Sequence, residues 1–374
     1  MHRVLKELPL EMNTRPLSLS VLDLIPVRTG QTSADAVAAT VELAQRADEL
    51  GYTRYWLAEH HNMPSVASTT PPILIGVLAA KTKRIKVGSG GVMLPNHAPF
   101  VIAEQFAALE ASAPGRIDLG IGRAPGSDPV ISALLQSTGH NSDVDKFPSH
   151  IRDVLALLGP DGAALTLANQ QQYEIRATPA ASERPDVWLL GSSDYSASLA
   201  AKLGLPYVFA HHFSGEGTAR ALGIYRSEFQ PSEWLDAPRT LLTVNVVVGE
   251  TAEEASALAL PNLQNMAKLR TGQPLTALET VEAGADQRMT MQQNNIIESM
   301  RERWIIDAPE QAAARVRELA DRFEVDEVMV SPGASAHDAS PINSSPERVK
   351  TLEYLAEYVL QSAQAPERQV AGIR

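Results

Sequence analysis

The amino-acid sequence predicts a (β/α)8 barrel. Eight short apolar runs alternate with longer helical patterns, which is the count that closes a parallel barrel. Runs such as Val244 to Val248 are apolar at nearly every consecutive position, as strands covered on both faces are. The 374 residues then accommodate a barrel of about 250 residues with long insertions after strands four and seven.

The strands are expected at Leu17 to Leu24, Tyr55 to Ala58, Ile85 to Val92, Ile117 to Gly122, Val187 to Gly191, Tyr207 to Ala210, Leu241 to Val248 and Glu327 to Ser331. The first helix is expected from Ser33, as N-cap, to Leu50. Val37, Val41, Ala44 and Ala47 form its inward stripe and Gly51 stops it. Similar patterns recur at Pro72 to Lys81, Pro99 to Ser112, Tyr195 to Leu203, Gly217 to Phe229 and Pro309 to Phe323. A last helix opens near Ser345, with Pro346 at its first position, and runs to about Gln361. Two connections are long: Ala124 to Phe147, and Thr251 to Glu324. In the second, Gly272 to Asn295 has little amphipathic period and reads either as a mobile lid or as a disordered surface loop. The expected organisation is an N-terminal extension through residue 16, one barrel domain over 17–363 and a frayed tail over 364–374, with Met12 as an alternative start.

A net charge of −12 argues against a nucleic-acid partner, and the absence of Cys removes disulfides, thiolate metal sites and a Cys nucleophile. The first 16 residues mix charges among apolar residues, unlike a secretory signal, and the longest apolar run, Ile73 to Ala80, is far short of the ~20 residues that span a bilayer. The reading is a cytoplasmic protein without a membrane segment.

Barrel active sites gather at the C-terminal strand ends. Strand two is followed by Glu59, His60, His61 and Asn62; adjacent side chains face opposite ways, so one histidine enters the mouth unless the backbone turns. Hydrogen-bonded histidines at a strand end are the bland account, but Glu59 beside an imidazole suits a tuned acid or base. A metal reading would add His211 and His212, yet strand one lacks the His-x-His of barrel metallohydrolases, so no metal is expected. Strand three ends in Gly88-Ser89-Gly90-Gly91-Val92-Met93. Consecutive glycines there suit either a bulge that shapes the barrel or, with Met93 beside them, a wall against a flat ring, and the Gly90-Gly91 peptide is expected to be cis or otherwise unusual. Arg123, after strand four, and the turn Gly191-Ser192-Ser193 with Ser196, after strand five, suit a phosphate at a helix N-terminus. Taken singly, they suit an ordinary loop ion pair and an ordinary N-cap.

Together, Ala58-Glu59-His60-His61-Asn62-Met63-Pro64, Val87 through His97, Ala103-Glu104-Gln105 and Gly115 through Gly126 resemble the luciferase-like flavin monooxygenase family, in particular its uncharacterised members from natural-product clusters. The likeness is dense from Leu17 to about Asp128 and weak from Gly272 to Asn295. It implies reduced FMN, supplied by a separate flavin reductase, that reacts with O2 to a flavin hydroperoxide and oxygenates a small organic substrate. It also implies His60 as the catalytic histidine with Glu59 beside it. Ser89, Gly90, Gly91 and Met93 would lie at the flavin, and Arg123 with Gly191, Ser192, Ser193 and Ser196 at its phosphate. Where luciferase carries a reactive cysteine, this chain has Gly122, so light emission is not implied. The family suggests a homodimer through helices two and three, where Ala79, Ala80, Ala103, Ala107 and Ala108 would permit close packing, unless they pack on the barrel. A deazaflavin-dependent dehydrogenase of the same superfamily and a non-catalytic flavin-binding protein are the alternatives.

Overall fold

The computed structural model describes residues 16–124, 126, 129–136, 144–213 and 215–361. The expected N-terminal extension (apart from Pro16), Met12 and the tail lie outside them. The eight barrel strands are β1 (Ser18–Asp23), β2 (Arg54–Leu57), β3 (Lys86–Ser89), β4 (Ile117–Gly122), β5 (Asp186–Gly191), β6 (Tyr207–Phe209), β7 (Thr240–Val248) and β8 (Glu327–Pro332). Each pairs in parallel with the next, and β8 pairs with β1, for instance Ser18 with Glu327, so the sheet closes. Strand three is shorter than expected. It breaks at Gly90-Gly91, and Val92–Met93 resumes the pairing with Ile121 and Gly122.

Side chains on successive strand residues point to opposite faces. One set, Leu22, Trp56, Ala58, Trp188, Val208, Leu241 and Met329, fills the lumen. The other packs outward against the helices in the main core, with Leu19, Val21, Tyr55, Leu57, Leu119, Val244 and Val330 among its members. The N-terminal end of the lumen is sealed by charge. Arg54 pairs with Asp118 at 2.7 Å and Glu327 at 2.6 Å and stacks on Trp188, 4.8 Å from the ring centroid. Burial would lower the Arg54 pKa, but the two carboxylates raise it beyond its usual value, so the guanidinium stays charged. A barrel floored in this way opens only at its C-terminal end.

The first helix, Ser33–Leu50, is capped by Thr32 rather than by Ser33. The Thr32 hydroxyl accepts from the Asp35 amide and the Asp35 carboxylate accepts from the Thr32 amide, a capping box that satisfies two otherwise orphaned donors. Gly51 ends the helix in the left-handed region, as its position implies. The last helix, Pro346–Leu355, is fastened to the end of β1 through Arg348, whose guanidinium donates to Asp23 at 2.6 Å. Asp23 also accepts from Tyr55 Oη and Thr40 Oγ1.

Three elements after β4 were not anticipated: a helix at Pro129–Gln136, a helix at Phe147–Leu158, with Ile151, Val154 and Leu155 buried, and an antiparallel hairpin pairing Ala163–Thr166 with Gln172–Ile175. The long connection after β7 carries the anticipated helix Pro309–Phe323, and within it the stretch 272–295, read as a mobile lid or a disordered loop, holds helix Val281–Ala285 and the start of helix Met291–Arg301. The whole connection comprises helices Ala252–Arg270, Val281–Ala285, Met291–Arg301 and Pro309–Phe323 and the short strand Ile305–Asp307. Ile297, Met300 and Trp304 pack against Leu258 and Leu263 in a separate apolar cluster. Leu278 is pinned to the loop after β1 by two backbone hydrogen bonds of 2.8 Å, to Val27 and from Thr29. Among the described residues no helix is long and apolar enough to cross a membrane.

Candidate functional site

Burial falls off toward the C-terminal strand ends. Leu22, Trp188, Leu241 and Met329 are buried in the lumen, whereas Leu24, Leu190, Asn245 and Ser331, further along the same faces, are partly exposed. The lumen therefore opens as a cup walled by Leu24, Ala58, Gly90 and Leu190, with polar residues at its rim.

His60 continues the lumen-facing alternation of Arg54, Trp56 and Ala58. Its Nδ1 is buried without a hydrogen-bond partner. Its pKa is lowered, chiefly by burial and also by His61, against the opposing charge of Glu59. The expected pairing of Glu59 with the histidine of the mouth is not what the structure contains. Glu59 faces the other way and is fully buried. Its Oε1 accepts from His61 Nε2 and His97 Nε2, each at 2.8 Å, and its Oε2 from the Met93 amide at 2.9 Å. Burial alone would raise its pKa, but hydrogen bonds from His61 and His97, the charge of His97 and the Met93 amide together bring it down to about 2. Glu59 thus ties the end of β2 to the loop after β3, and His60 is left free. The reason is the two-residue period: Glu59 and His61 share one face of the chain and His60 has the other.

The Gly90-Gly91 peptide is cis. The surrounding glycines answer to close approach of the chain itself. A Cβ on Gly90 would lie 2.6 Å from Leu22 Cδ1 and 3.1 Å from Trp56 Cβ, one on Gly91 2.8 Å from the Gly120 carbonyl oxygen, and one on Gly120 would overlap the Ser89 carbonyl. Ser89 is not a ligand of the cup. It is fully buried, with its hydroxyl donating to Gly120 O at 2.8 Å and accepting from Gly120 N at 3.0 Å. Met93 places its sulfur beside Gly122, so it supports the rim from between β3 and β4.

Arg123 lies over the Tyr195 ring at 4.5 Å, beside the N-terminus of helix Asp194–Leu203. Ser192, Ser193, Asp194, Tyr195, Glu216, Gly217 and Arg220 line a cleft of about 740 Å³ there. Ser193 caps the helix and accepts from the Ser196 amide, in a capping box. Ser196 is turned inward: its hydroxyl donates to Ser193 O at 2.8 Å and meets Tyr207 Oη at 3.1 Å, and Gly191 is glycine because a Cβ there would overlap Ser196. Ser196 and Gly191 therefore shape the turn from behind, while Ser192 and Ser193 are exposed in it. Pro125, Ser127 and Asp128, in the loop after Arg123, lie outside the described residues.

Of three further rim residues, Thr243 and Asn245 were missed and His212 was weighed only as a metal ligand. His212 follows Val208 and Ala210 on the lumen face, and Thr243 and Asn245 follow Leu241. His212 Nδ1 is 2.5 Å from Thr243 Oγ1, and Asn245 Nδ2 donates to the His212 carbonyl at 3.2 Å. Burial first, then His211 and His60, push the His212 pKa down to about 4. Counting by two along each strand would have found all three, and the polar Asn245 inside an apolar run was the visible signal. His211 points away, to Thr218 Oγ1 at 2.8 Å and the Phe323 ring at 5.4 Å. Among the described residues no three His, Asp or Glu side chains converge as metal ligands.

Residues 17–324 match the model of the family described as luciferase-like monooxygenase. An Escherichia coli (strain K12) protein named luciferase-like monooxygenase is 43% identical over 263 residues, 70% of this chain and 76% of its own length. The N-acetyl-S-alkylcysteine monooxygenase of Bacillus subtilis (strain 168) is 41% identical over 201 residues, 54% of this chain and 58% of its own. The crystal structure of apo-MsnO8 superposes with a TM-score of 0.78 at 30% identity, covering 92% of this chain and 98% of that one.

Proposed function

The chain belongs to the luciferase-like monooxygenase family, and from that premise we propose that it is an FMN-dependent monooxygenase that uses O2 to oxygenate a small organic substrate in the barrel cup. The observation that carries the cofactor reading is continuity. A cup with apolar and backbone walls opens beside Arg123, stacked on Tyr195 at a helix N-terminus, so a flat ring and its phosphate have adjoining places. The unpartnered, buried Nδ1 of His60 at the cup is a polar atom that a ligand would satisfy. These residues fit the group.

Arg123 and the exposed amides of the Ser192–Ser193 turn would hold the phosphate, and Leu24, Ala58, Leu190 and the Gly90 backbone would pack on the ring. Reduced FMN, delivered by a separate reductase, supplies the oxygen-activating chemistry when bound. The chain contributes orientation, a neutral imidazole at His60 able to take or return a proton at the reacting centre, and exclusion of water. The layer over 251–324 would provide that exclusion, a reading supported by the two backbone hydrogen bonds between Leu278 and the loop after β1. The sulfur substrate in one relative's name makes small thioethers the first compounds to screen.

A homodimer is the proposed assembly. Ala79, Ala103 and Ala107 are buried within this chain, which excludes them from such an interface, but Ile73, Val77, Phe100 and Val101 on helices Pro71–Lys81 and Pro99–Ser112 are exposed apolar side chains that a second copy would cover. The test of function is titration with FMN and with a deazaflavin cofactor, followed by oxygen uptake with reduced FMN in the presence of candidate thioethers. Preference for the deazaflavin, or no substrate-stimulated product, would sink the reading.

A further inference from the structure

We propose that His212 is a ligand-reading residue of the cup, held by Thr243 in the tautomer protonated at Nδ1 so that its bare Nε2 accepts a hydrogen bond from an N–H donor of the bound ring. The argument begins with the Thr243 hydroxyl, which has one proton and two neighbours. Its oxygen lies 2.5 Å from His212 Nδ1 and 3.3 Å from the Phe209 carbonyl. A carbonyl cannot donate, so the contact with Phe209 is a hydrogen bond only if Thr243 gives its proton there. The Thr243 oxygen must then accept at its other contact, and the donor is His212 Nδ1–H. This is the one assignment in which both contacts are hydrogen bonds.

Neutral imidazole has one N–H, so protonation at Nδ1 leaves Nε2 as an acceptor. The neutral form is the one the surroundings favour, since burial and the neighbouring histidines push the pKa down to about 4. The orientation is fixed twice, by Thr243 at the ring and by Asn245 at the His212 carbonyl. The residue also sits where a ligand would meet it. It follows Val208 and Ala210 on the lumen face, and His60 is near enough that a charge there would act on it. Its side chain is only partly exposed, and Nε2 has no partner among the described residues. An acceptor fixed at the rim of an apolar cup discriminates strongly, because a ligand lacking the matching donor would leave it desolvated and unpaired. Thr243 acts through His212 and is a positioning residue.

The ligand half of this inference rests on the flavin reading, and the tautomer half does not, so the experiment reads them separately. In protein labelled with 15N-histidine, two-bond nitrogen–proton spectra distinguish the two tautomers of each ring, and His212→Gln identifies the His212 signals by their loss. The expected result in ligand-free protein is protonation at Nδ1, reverting to Nε2 in Thr243→Val and restored in Thr243→Ser. Adding oxidised FMN should shift the Nε2 resonance, and His212→Phe should weaken FMN by about five- to tenfold, the effect of one net hydrogen bond, with His212→Gln recovering part of it through its amide oxygen. A parent spectrum protonated at Nε2, or a tautomer indifferent to Thr243→Val, overturns the assignment. The expected tautomer with unaltered FMN affinity in His212→Phe overturns the contact with the ring. No FMN binding by the parent overturns the flavin reading and with it that contact, and the spectra alone then decide the state of His212.

Discussion

Replacing Glu59 with Gln removes one charge from the junction on which the rim of the cup is built, and the structure sets the size of the effect. The pKa of Glu59 is down from 4.5 to about 2, a difference worth about 3 kcal/mol in favour of the ionised form. A Gln with its amide oxygen at the Oε1 position keeps His61 and His97 but turns its NH2 onto the Met93 amide, another donor, and with the amide flipped its NH2 meets the two histidine donors instead. At neutral pH the variant should therefore lose about 3 kcal/mol, in the range for breaking a buried charged network. The sign of the pH dependence follows from the depressed pKa. The Glu59 contribution is complete above 4.5 and is lost as pH falls through about 2, so the gap between parent and variant stays constant from about pH 7 to about pH 5 and narrows by about 1 kcal/mol near pH 3.5. Urea unfolding followed by the fluorescence of the buried Trp56 and Trp188 measures this at the three pH values. A loss under about 1 kcal/mol at neutral pH, or a gap that does not narrow in acid, would refute the account of Glu59 as an ionised structural tie.

Arg123→Ala is expected to weaken FMN but not riboflavin, by about 1.5 to 3 kcal/mol for a charge-assisted phosphate contact; equal losses in parallel titrations would move Arg123 to the ring or the fold. His60→Ala should stay folded and hold FMN within a few fold, while product formation falls by about 10² to 10⁴ and hydrogen peroxide release rises; unchanged coupling of oxygen uptake to product would remove His60 from the chemistry. His61→Ala is expected to act on thermal stability instead, since His61 donates to Glu59. Among glycines, Gly120→Ala should destabilise by about 3 kcal/mol or more, because its Cβ would overlap the Ser89 backbone, whereas Gly223→Ala, in helix Thr218–Glu228 with open space around it, should stabilise by about 0.5 to 1 kcal/mol. Calorimetric transitions that move the same way in both variants would contradict the packing argument.

What the sequence determined by itself is local and periodic. The barrel strands and most of the helices around them were legible because consecutive apolar residues and 3.6-residue stripes are properties of neighbouring positions, as were Gly51 as a helix stop and Pro346 as a helix start. So was the placing of His60, Arg123 and the Ser192–Ser193 turn at one end of the barrel, since in a parallel barrel all C-terminal strand ends lie together. The helix Phe147–Leu158 was also within reach of that reading, through the spacing of Ile151, Val154 and Leu155.

Only the tertiary structure decided which partner each group takes. Glu59 met His97, 38 residues away, and turned from His60. Ser89 and Ser196 spent their hydroxyls on Gly120 and on Ser193 and Tyr207, and the segment over 272–295 folded because Leu278 and Gln293 found cover across the chain. The pairing of His212 with Thr243 across the rim, and of Arg54 with Asp118 and Glu327 across the floor, belongs to the same class. The physical reason is that hydrogen bonds and ion pairs act over about 3 Å in space, whereas periodicity encodes only which face a side chain takes. Barrel closure supplies the distances, by bringing β1 against β8, and with it every contact between strands remote in sequence.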